Sequence, residues 1–379
     1  MKSVIQVEIV AHPSLEMLAN LWRMVEQNTQ HSVFTSWHWI SAWLETDTCS
    51  EKYLLMATID AKPVGLAIWT HHKRLGQHHY WLHKSGDDAI DQIWIEYNDF
   101  MVQDALQDSI KARMWQAWFA FTPKNSKYFI GASQPESFVE PQKHATFNYL
   151  AWAAKSYRMA LASPCDLSLP VNDQRLLGLM SSNTRAQLRR SMQYFQTEYG
   201  ALTLHFAPAE EAIALFDSAS IWHKERWGQD GNRGFNNRSF IDFHHLLISR
   251  GYPEKMIDVV ELRAGSQRLG VFYNFVWQQN AYFYLSSLHY QESNHARPGL
   301  VGHFLLAMHY LEAGLLSYDL LGGGEYKARF STPGPELQVR VLYTAGWVNT
   351  LEILLRKLKA TYKSWRIFRP NRRASLQRN

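Results

Sequence analysis

Two stretches of this chain, 53–73 and 256–288, are built on one plan, and that repetition limits what the chain can fold into. The first, YLLMATIDAKPVGLAIWTHHK, reads as a β-hairpin turning at Asp60 to Pro63. The second, MIDVVELRAGSQRLGVFYNFVWQQNAYFYLSSL, reads as three strands with turns at Ala264 to Gln267 and at Gln278 to Asn280. Laid on one another, AKPVGLAIW matches SQRLGVFYN: a turn, an apolar residue, then Gly65 or Gly270 and a further apolar residue. A helix-rich stretch precedes each copy. The pattern predicts two similarly built α/β domains, and a length of 379 residues suits two domains better than one.

The remaining segments fill in this plan. VIQVEIV at 4–10 reads as a strand, and 13–28 as a helix with Pro13 in its first turn. HSVFTSWHWISAWLE is a second, aromatic helix. KHATFNYLAWAAKSYRMALA (143–162) looks helical, and the Pro-rich SPCDLSLPVNDQ (163–174) reads as a connection. A first domain over 1–160 and a second over 161–346 follow. Within the second, 299–314 is a helix ending at Gly314, and LLSYDLL is a further strand. Strand, helix, strand with a glycine-rich exit is an α/β arrangement.

With 46% hydrophobic and 19% charged residues, the chain has the means to build a core. The opening MKSVIQVEIVAHPS lacks the apolar run of a signal peptide, and no window approaches the roughly 18 apolar residues of a spanning helix. Cys49 and Cys165 have no metal-ligand spacing and make no disulfide framework. A cytoplasmic, reduced protein is expected. Net charge is +5, unevenly spread: 15 Lys and Arg against 18 Asp and Glu over 1–180, and 24 against 16 in the remainder. The second half, at +8, is the one that attracts anions.

Four places carry candidate chemistry. SSNTRAQLRRSMQYF (181–195) places Arg185 and Arg189 on one face of a helix capped by Ser182 or Asn183. The pair suits bidentate contact with phosphate or carboxylate, or is a solvated basic face. IWHKERWGQDGNRGF groups Trp222, His223, Arg226 and Trp227 on a short helix, either as a base within aromatic walls or as core packing beside a surface histidine. HARPGLVGHF sets Arg297, Gly299 and Gly302 at a helix start, where backbone amides and the helix dipole attract an anion; a plain helix start is the alternative. YDLLGGGEYKARF places Asp319 near a strand end, three glycines, then Glu325, Tyr326, Lys327 and Arg329. A carboxylate, a phenol and an ammonium in one corner can act as base, acid and anion clamp, or form a surface turn with a salt bridge. His71, His72, His78, His79 and His83 lack metal-ligand spacing and read as hairpin histidines, so no metal is expected.

In this order, SPCDLSLP, SSNTRAQLRRSMQYF, IWHKERWG, LGVFYNFVWQQNAYFYLSSL, RPGLVGHFLL and YDLLGGGEYKARF resemble the CelD-like acetyltransferases of the GNAT superfamily. The likeness is good over about 160–335 and looser before it. It implies a fold similar to the double-GNAT architecture of Fem-type peptidoglycan aminoacyl transferases: two tandem α/β domains, each a mixed central sheet flanked by helices. It also implies direct transfer of an acyl group, expected to be acetyl, from acyl-CoA without a metal. The strand AYFYLSSL would bind the acyl carbonyl and pantetheine, and Arg297, Gly299, Gly302 and Lys327 the anionic part of the donor. Glu325 is the expected base, with Asp319 and His223 behind it, and Tyr326 or Tyr284 would return a proton to the thiolate. Arg185, Arg189, Trp222 and Arg226 are assigned to the acceptor. The loop departs from the family's usual Arg/Gln-x-x-Gly-x-Gly/Ala spacing.

The acceptor implied is an amine or hydroxyl of a sugar, free or lipid-linked, or of another envelope-polysaccharide precursor. Two other readings stay open: a non-catalytic scaffold in polysaccharide assembly, and an aminoacyl-tRNA-dependent transferase. Apart from such a tRNA, no nucleic-acid partner is expected. Residues 347–379 form a basic tail, with no acid after Glu352. Leu351, Leu354, Leu355, Leu358, Tyr362 and Trp365 fall at helical spacing opposite basic residues. That pattern suits contact with the anionic inner face of a membrane, or an apolar stripe packed on the domain with a loose basic end.

Overall fold

The computed structural model of the chain describes residues 4–161, 173–227 and 233–367, without the side chains of 227 and 360–367. The first half opens with β1 (Gln6–Ala11), α1 (Leu15–Glu26) and α2 (Trp37–Thr46). Ser14 and Ser36 start the two helices, each hydroxyl accepting the amide three residues on and so satisfying one otherwise orphaned donor. The predicted hairpin is β2 (Glu51–Ile59) and β3 (Lys62–Arg74), turning through Asp60 and Ala61 at positive φ. After it come β4 (Gln77–Leu82), the two-residue β5 (Met101–Val102), α3 (Gln107–Phe121), β6 (Ser126–Ser133), α4 (Val139–His144) and β7 (Phe147–Ala160).

The second half repeats this order behind two helices, α5 (Gln174–Gly178) and α6 (Ser182–Tyr199). It runs β8 (Leu202–Phe206), α7 (Ala212–Ser218), α8 (Ser220–Trp227), α9 (Arg238–Gly251), then the predicted strands β9 (Ile257–Ala264), β10 (Gln267–Trp277) and β11 (Asn280–Leu288). Helix α10 (Pro298–Glu312), β12 (Ser317–Gly322), β13 (Thr332–Tyr343) and α11 (Trp347–Ile367) complete it. The cap of α6 is Ser181, one residue before the positions named from sequence. The Pro-rich connection at 163–174 lies almost wholly outside the described residues.

All thirteen described strands join one mixed sheet, in the order β1-β2-β3-β4-β6-β13-β7-β12-β11-β10-β9-β8, with β5 beside β3. The order is near-palindromic. In each half antiparallel strands lead to one parallel pair, β4 with β6 and β11 with β12. Each half then takes its next strand from the other. β13 lies antiparallel to β6, β7 lies antiparallel to β12, and the two lent strands pair with each other from Phe147/Tyr343 to Arg158/Thr332.

This exchange explains the one element misread from sequence. The helix expected over 143–162 is the strand β7. Its run of Ala, Leu and Met favours a helix locally, but backbone bonds to strands on both sides outweigh that preference.

The largest apolar cluster also bridges the halves. Trp22, Phe34, Trp39 and Trp43 of the first half pack with Phe240, Phe243, Phe275 and Tyr282 of the second, and the Trp39 ring meets Phe243 edge-on at 4.8 Å. Helix α11 is bound to the first half by its polar side. The Glu352 carboxylate accepts from Gln77 Nε2 at 2.7 Å, Lys127 Nζ at 3.0 Å, Tyr343 Oη at 3.0 Å and Arg356 Nε at 2.8 Å, while Asn349 is buried beside it. Burial works against the charge of Glu352, but the bonds from Gln77, Lys127 and Arg356 win and hold its carboxyl at about 2.

A group held below its unfolded value stabilises above that value and loses the effect as pH falls. Acid titration from about 4.5 to about 2 will therefore weaken the docking of α11, and Glu352→Gln will remove that part of the acid dependence in melting curves. Gly302 sets a second test. A Cβ there would come within 2.2 Å of the Phe272 ring, so Gly302→Ala should cost about 1–3 kcal/mol in denaturant unfolding.

Candidate functional site

β11 and β12 part company soon after they meet. They pair only from Asn280/Ser317 to Tyr282/Asp319. Two local features drive them apart. In β11 the register against β10 slips at Tyr284, which is left as an extra, bulged residue. In β12, Leu321 takes a positive φ of 61° and the pairing with β7 jumps from Asp319 to Gly322. The result is a V whose arms are the β11 edge beyond Tyr282 and residues 320–322 of β12. The start of α10 lies beyond the end of β11.

The arm made by β12 is held from both sides. Asp319 is buried, and its carboxylate accepts from Arg158 at 2.9 Å, Tyr97 Oη at 2.9 Å and the Leu321 amide at 2.8 Å. Lys327 reaches back with its ammonium to the carbonyls of Leu320 at 2.6 Å and Gly322 at 3.0 Å. Glu96, from the loop between β4 and β5, accepts the Gly322 amide at 2.8 Å. A side chain at Gly322 would crowd this carboxylate, whose oxygens lie 3.4 and 3.5 Å from an added Cβ. Burial pushes the Glu96 carboxyl up to about 7; the Gly322 amide and Lys327 pull it back only in part, and Asp319 adds to the rise. A half-buried carboxyl that titrates near neutrality is suited to taking a proton. Backbone strain gathers here too: Trp94 and Tyr97 have φ of 43° and 51°, conformations that cost roughly 1–3 kcal/mol each and cluster at ligand sites.

The equivalent V of the first half is closed. β4 keeps an unbroken register with β3. Asn98 fills the gap between β4 and β6, donating to the carbonyls of Leu82 at 2.8 Å and Ile130 at 2.5 Å, while its own amide bonds to Ala132. One loop thus seals the first cleft with Asn98 and supplies Glu96 and Tyr97 to the second.

The residues nominated from sequence do not all gather in one place. At the outer end of the second cleft, the Trp222 ring stacks on His289 at 5.3 Å and Arg226 lies over the Tyr290 ring at 4.7 Å, with half-exposed Tyr326 near both. Arg297 is exposed at the start of α10, followed by Pro298 and Gly299. Glu325 is exposed at the first position of a 3₁₀ turn, Glu325–Arg329. His223 packs edge-on to Phe235 at 5.3 Å, and burial lowers its affinity for a proton. Arg189 is exposed on α6.

The structure gives the rest other tasks. Asp319 already accepts from three donors, an arrangement that anchors the strand. Tyr284 donates to the Ile93 carbonyl at 2.5 Å and touches His244, which occupies its hydroxyl. Arg185 spends its guanidinium on the carbonyls of Met180 at 2.6 Å and Leu177 at 3.3 Å, away from any acceptor. Lys327 is buried against backbone carbonyls and does not face a solvent-borne anion. Gly302 seats α10 against Phe272 and does not line an anion loop. Glu96, Tyr97, Asn98 and Arg158 were missed. The trace of the first three in the sequence is the polar run EYND after the apolar IWI, while Arg158 lies in the stretch read as a helix.

The hairpin histidines have local partners as well. His71 bonds Glu51 at 2.7 Å and stacks on His78, and His83 bonds Asn98 at 2.9 Å. Among the described residues no three His, Cys, Asp or Glu side chains stand close enough to hold a metal.

Two changes test this geometry. Arg158→Met leaves the buried Asp319 carboxylate short of its cation and should lower stability by about 1–3 kcal/mol in denaturant unfolding. Glu96 behaves in the opposite sense to Glu352. A carboxyl raised by folding costs stability as pH climbs from the unfolded value to the folded one, here from about 4.5 to about 7. Melting curves of Glu96→Gln should gain on the native protein across that window and run parallel above it.

Comparison with known proteins places this architecture. Residues 182–328 match the family described as "Acetyltransferase (GNAT) domain". No curated protein sequence matches the chain. Among solved structures, FemX is 10% identical with a TM-score of 0.53, over 87% of this chain and 96% of that one. L-PGS from Bacillus licheniformis is 11% identical with a TM-score of 0.52, over 91% and 97%. The C-terminal domain of a putative lysylphosphatidylglycerol synthetase from Agrobacterium fabrum is 10% identical with a TM-score of 0.50, over 90% and 95%. At such identities the likeness is one of fold. Residues 182–328 thus resemble a GNAT acetyltransferase domain, and the chain as a whole shares the fold of FemX.

Proposed function

We propose that the chain is an acyltransferase with one working cleft, the V between β11 and β12, and that acyl-CoA is its donor. The observation that carries this reading is the asymmetry of the two clefts: the first is sealed by Asn98, and the second is opened by the Tyr284 bulge with Glu96 at its arm. The unpaired β11 edge suits the amide groups of a pantetheine chain. Exposed Arg297 and the amides of Gly299 and Leu300 suit its phosphates. The two-domain division near residue 160 belongs to this reading, each domain lending the other a strand.

In the proposed step an amine or hydroxyl attacks the thioester carbonyl, the new N–C or O–C bond forms, and the C–S bond breaks. Glu96 takes the proton from the nucleophile, and the thiolate leaves to be protonated. Half-exposed Tyr326, beside Tyr290 and Arg226 at the outer end of the cleft, is the phenol assigned to that second transfer. The acceptor is a sugar or an envelope-polysaccharide precursor, and the donated group is acetyl. The Trp222, Tyr290 and Tyr326 rings with the Arg226 cation offer the aromatic faces and charge that bind a sugar ring or its phosphate. Such work belongs on the cytoplasmic side of the envelope, at the membrane periphery; no helix among the described residues is long and apolar enough to cross a membrane.

One feature favours a second donor. Pro298 removes a backbone donor from the first turn of α10, and Gly302 is consumed in packing, so the phosphate cradle is thin for CoA. An aminoacyl-tRNA would need no such cradle. Calorimetry with acetyl-CoA and CoA decides between the two. Binding that weakens in Arg297→Ala supports the CoA reading; no heat with either compound defeats it. With the donor in hand, Glu96→Gln should lower turnover about a hundredfold and abolish the rise in rate as pH passes through about 7. Unchanged turnover in that protein would remove Glu96 from the chemistry.

A further inference from the structure

Helix α11 shows its apolar side to solvent. Trp347, Leu351, Leu354, Leu355 and Leu358 are between 51% and 76% exposed, and at 100° per residue they form one stripe about 100° wide. The opposite side, through Asn349, Glu352 and Arg356, is the one bound to the body of the protein. An amphipathic helix normally buries its leucines and leaves its acids in water; this one does the reverse. The choice is enforced by the receiving surface, where Lys127, Gln77 and Tyr343 offer donors that only a carboxylate and an amide can satisfy.

We infer that α11 is a docking surface for an anionic lipid bilayer, which receives the leucine stripe while the basic residues of the tail meet its headgroups. Charge selects this occupant. From Arg356 to the end the sequence has nine Lys and Arg and no Asp or Glu, and the leucine spacing continues through Tyr362 and Trp365. A protein partner that covered five large apolar side chains would need no such excess of one sign. A bilayer surface with anionic lipid provides both an apolar depth and a negative plane. Glu352, the last acid, is turned inward and neutralised by Lys127 and Arg356, so it does not oppose the approach. The inference does not depend on which acyl donor the cleft takes.

The test uses the full chain and vesicles of either pure phosphatidylcholine or phosphatidylcholine with phosphatidylglycerol. The protein should sediment with the anionic vesicles only, and less so as salt is raised. The variant Leu354→Gln/Leu355→Gln/Leu358→Gln changes only exposed side chains. It should keep the melting temperature and lose about tenfold or more in vesicle partition. Equal or negligible binding to both vesicle types overturns the inference, as does a variant that binds like the parent. Sedimentation velocity covers the remaining occupant. A dimer that the triple variant dissolves would show that a second copy covers the stripe, and would overturn the membrane assignment as well.

Discussion

The fold hangs on the antiparallel ribbon of β7 and β13. Each strand is lent by one half to the other, so neither half can complete its own sheet. The loan has a chemical consequence at once. β7 carries Arg158 to the buried Asp319 and gives β12 its backbone partner through Ser317, Tyr318 and Asp319. Without β7, β12 would be an edge strand with an unpaired carboxylate beneath it, a state costly in hydrogen bonds and in charge. The direction in which β12 turns away from β11 is therefore set by a strand that precedes it by more than a hundred residues.

The same economy governs the two clefts. Tandem halves with the same strand order begin with equivalent openings between their parallel strands, and the loop from Ile93 to Phe100 breaks the equivalence. Asn98 satisfies the carbonyls that splaying would leave bare in the first half. In the second half the comparable carbonyls of Leu320 and Gly322 are met by Lys327 from one side only, which leaves the β11 edge open. Glu96 then stands where a carboxylate is poorly solvated and close to neutrality in its titration. Strain at Tyr97 and Leu321 is the cost of bringing the two halves into contact at this point, and the large aromatic cluster between the halves offsets it.

At the other end of the sheet the balance is polar. Lys127 lies in β6 with little access to water, within cation–π distance of Phe129 and Tyr343. Burying that ammonium demands a counter-ion, and Glu352 supplies it. The pairing decides which face of α11 turns inward and so leaves its leucines outside. A single buried cation in the first half thus orients a helix at the far end of the chain.

Much of this was legible in the chain itself. The apolar runs and turn residues of 53–73 and 256–288 predict their strands because a short apolar run bounded by turn residues is a local property. The Gly314 stop marks a helix end for the same reason. Motif order along the second half leads to a GNAT domain, and the tail's amphipathic spacing is plain. The site was less accessible. Glu325, next to three glycines, has the look of a base, yet it lies in water, while a carboxyl at the cleft whose titration burial displaces is Glu96, more than two hundred residues earlier. No local pattern foretells that contact, because desolvation and the Gly322 amide exist only once the halves meet. The helix read over 143–162 fails for the same cause: its composition favours one state and its neighbours in space another. What the chain determined alone is whatever a run of ten or twenty residues can satisfy within itself. Tertiary structure decided the strand exchange, the open cleft and the inward face of α11, since each turns on a buried polar group whose partner lies far away in sequence.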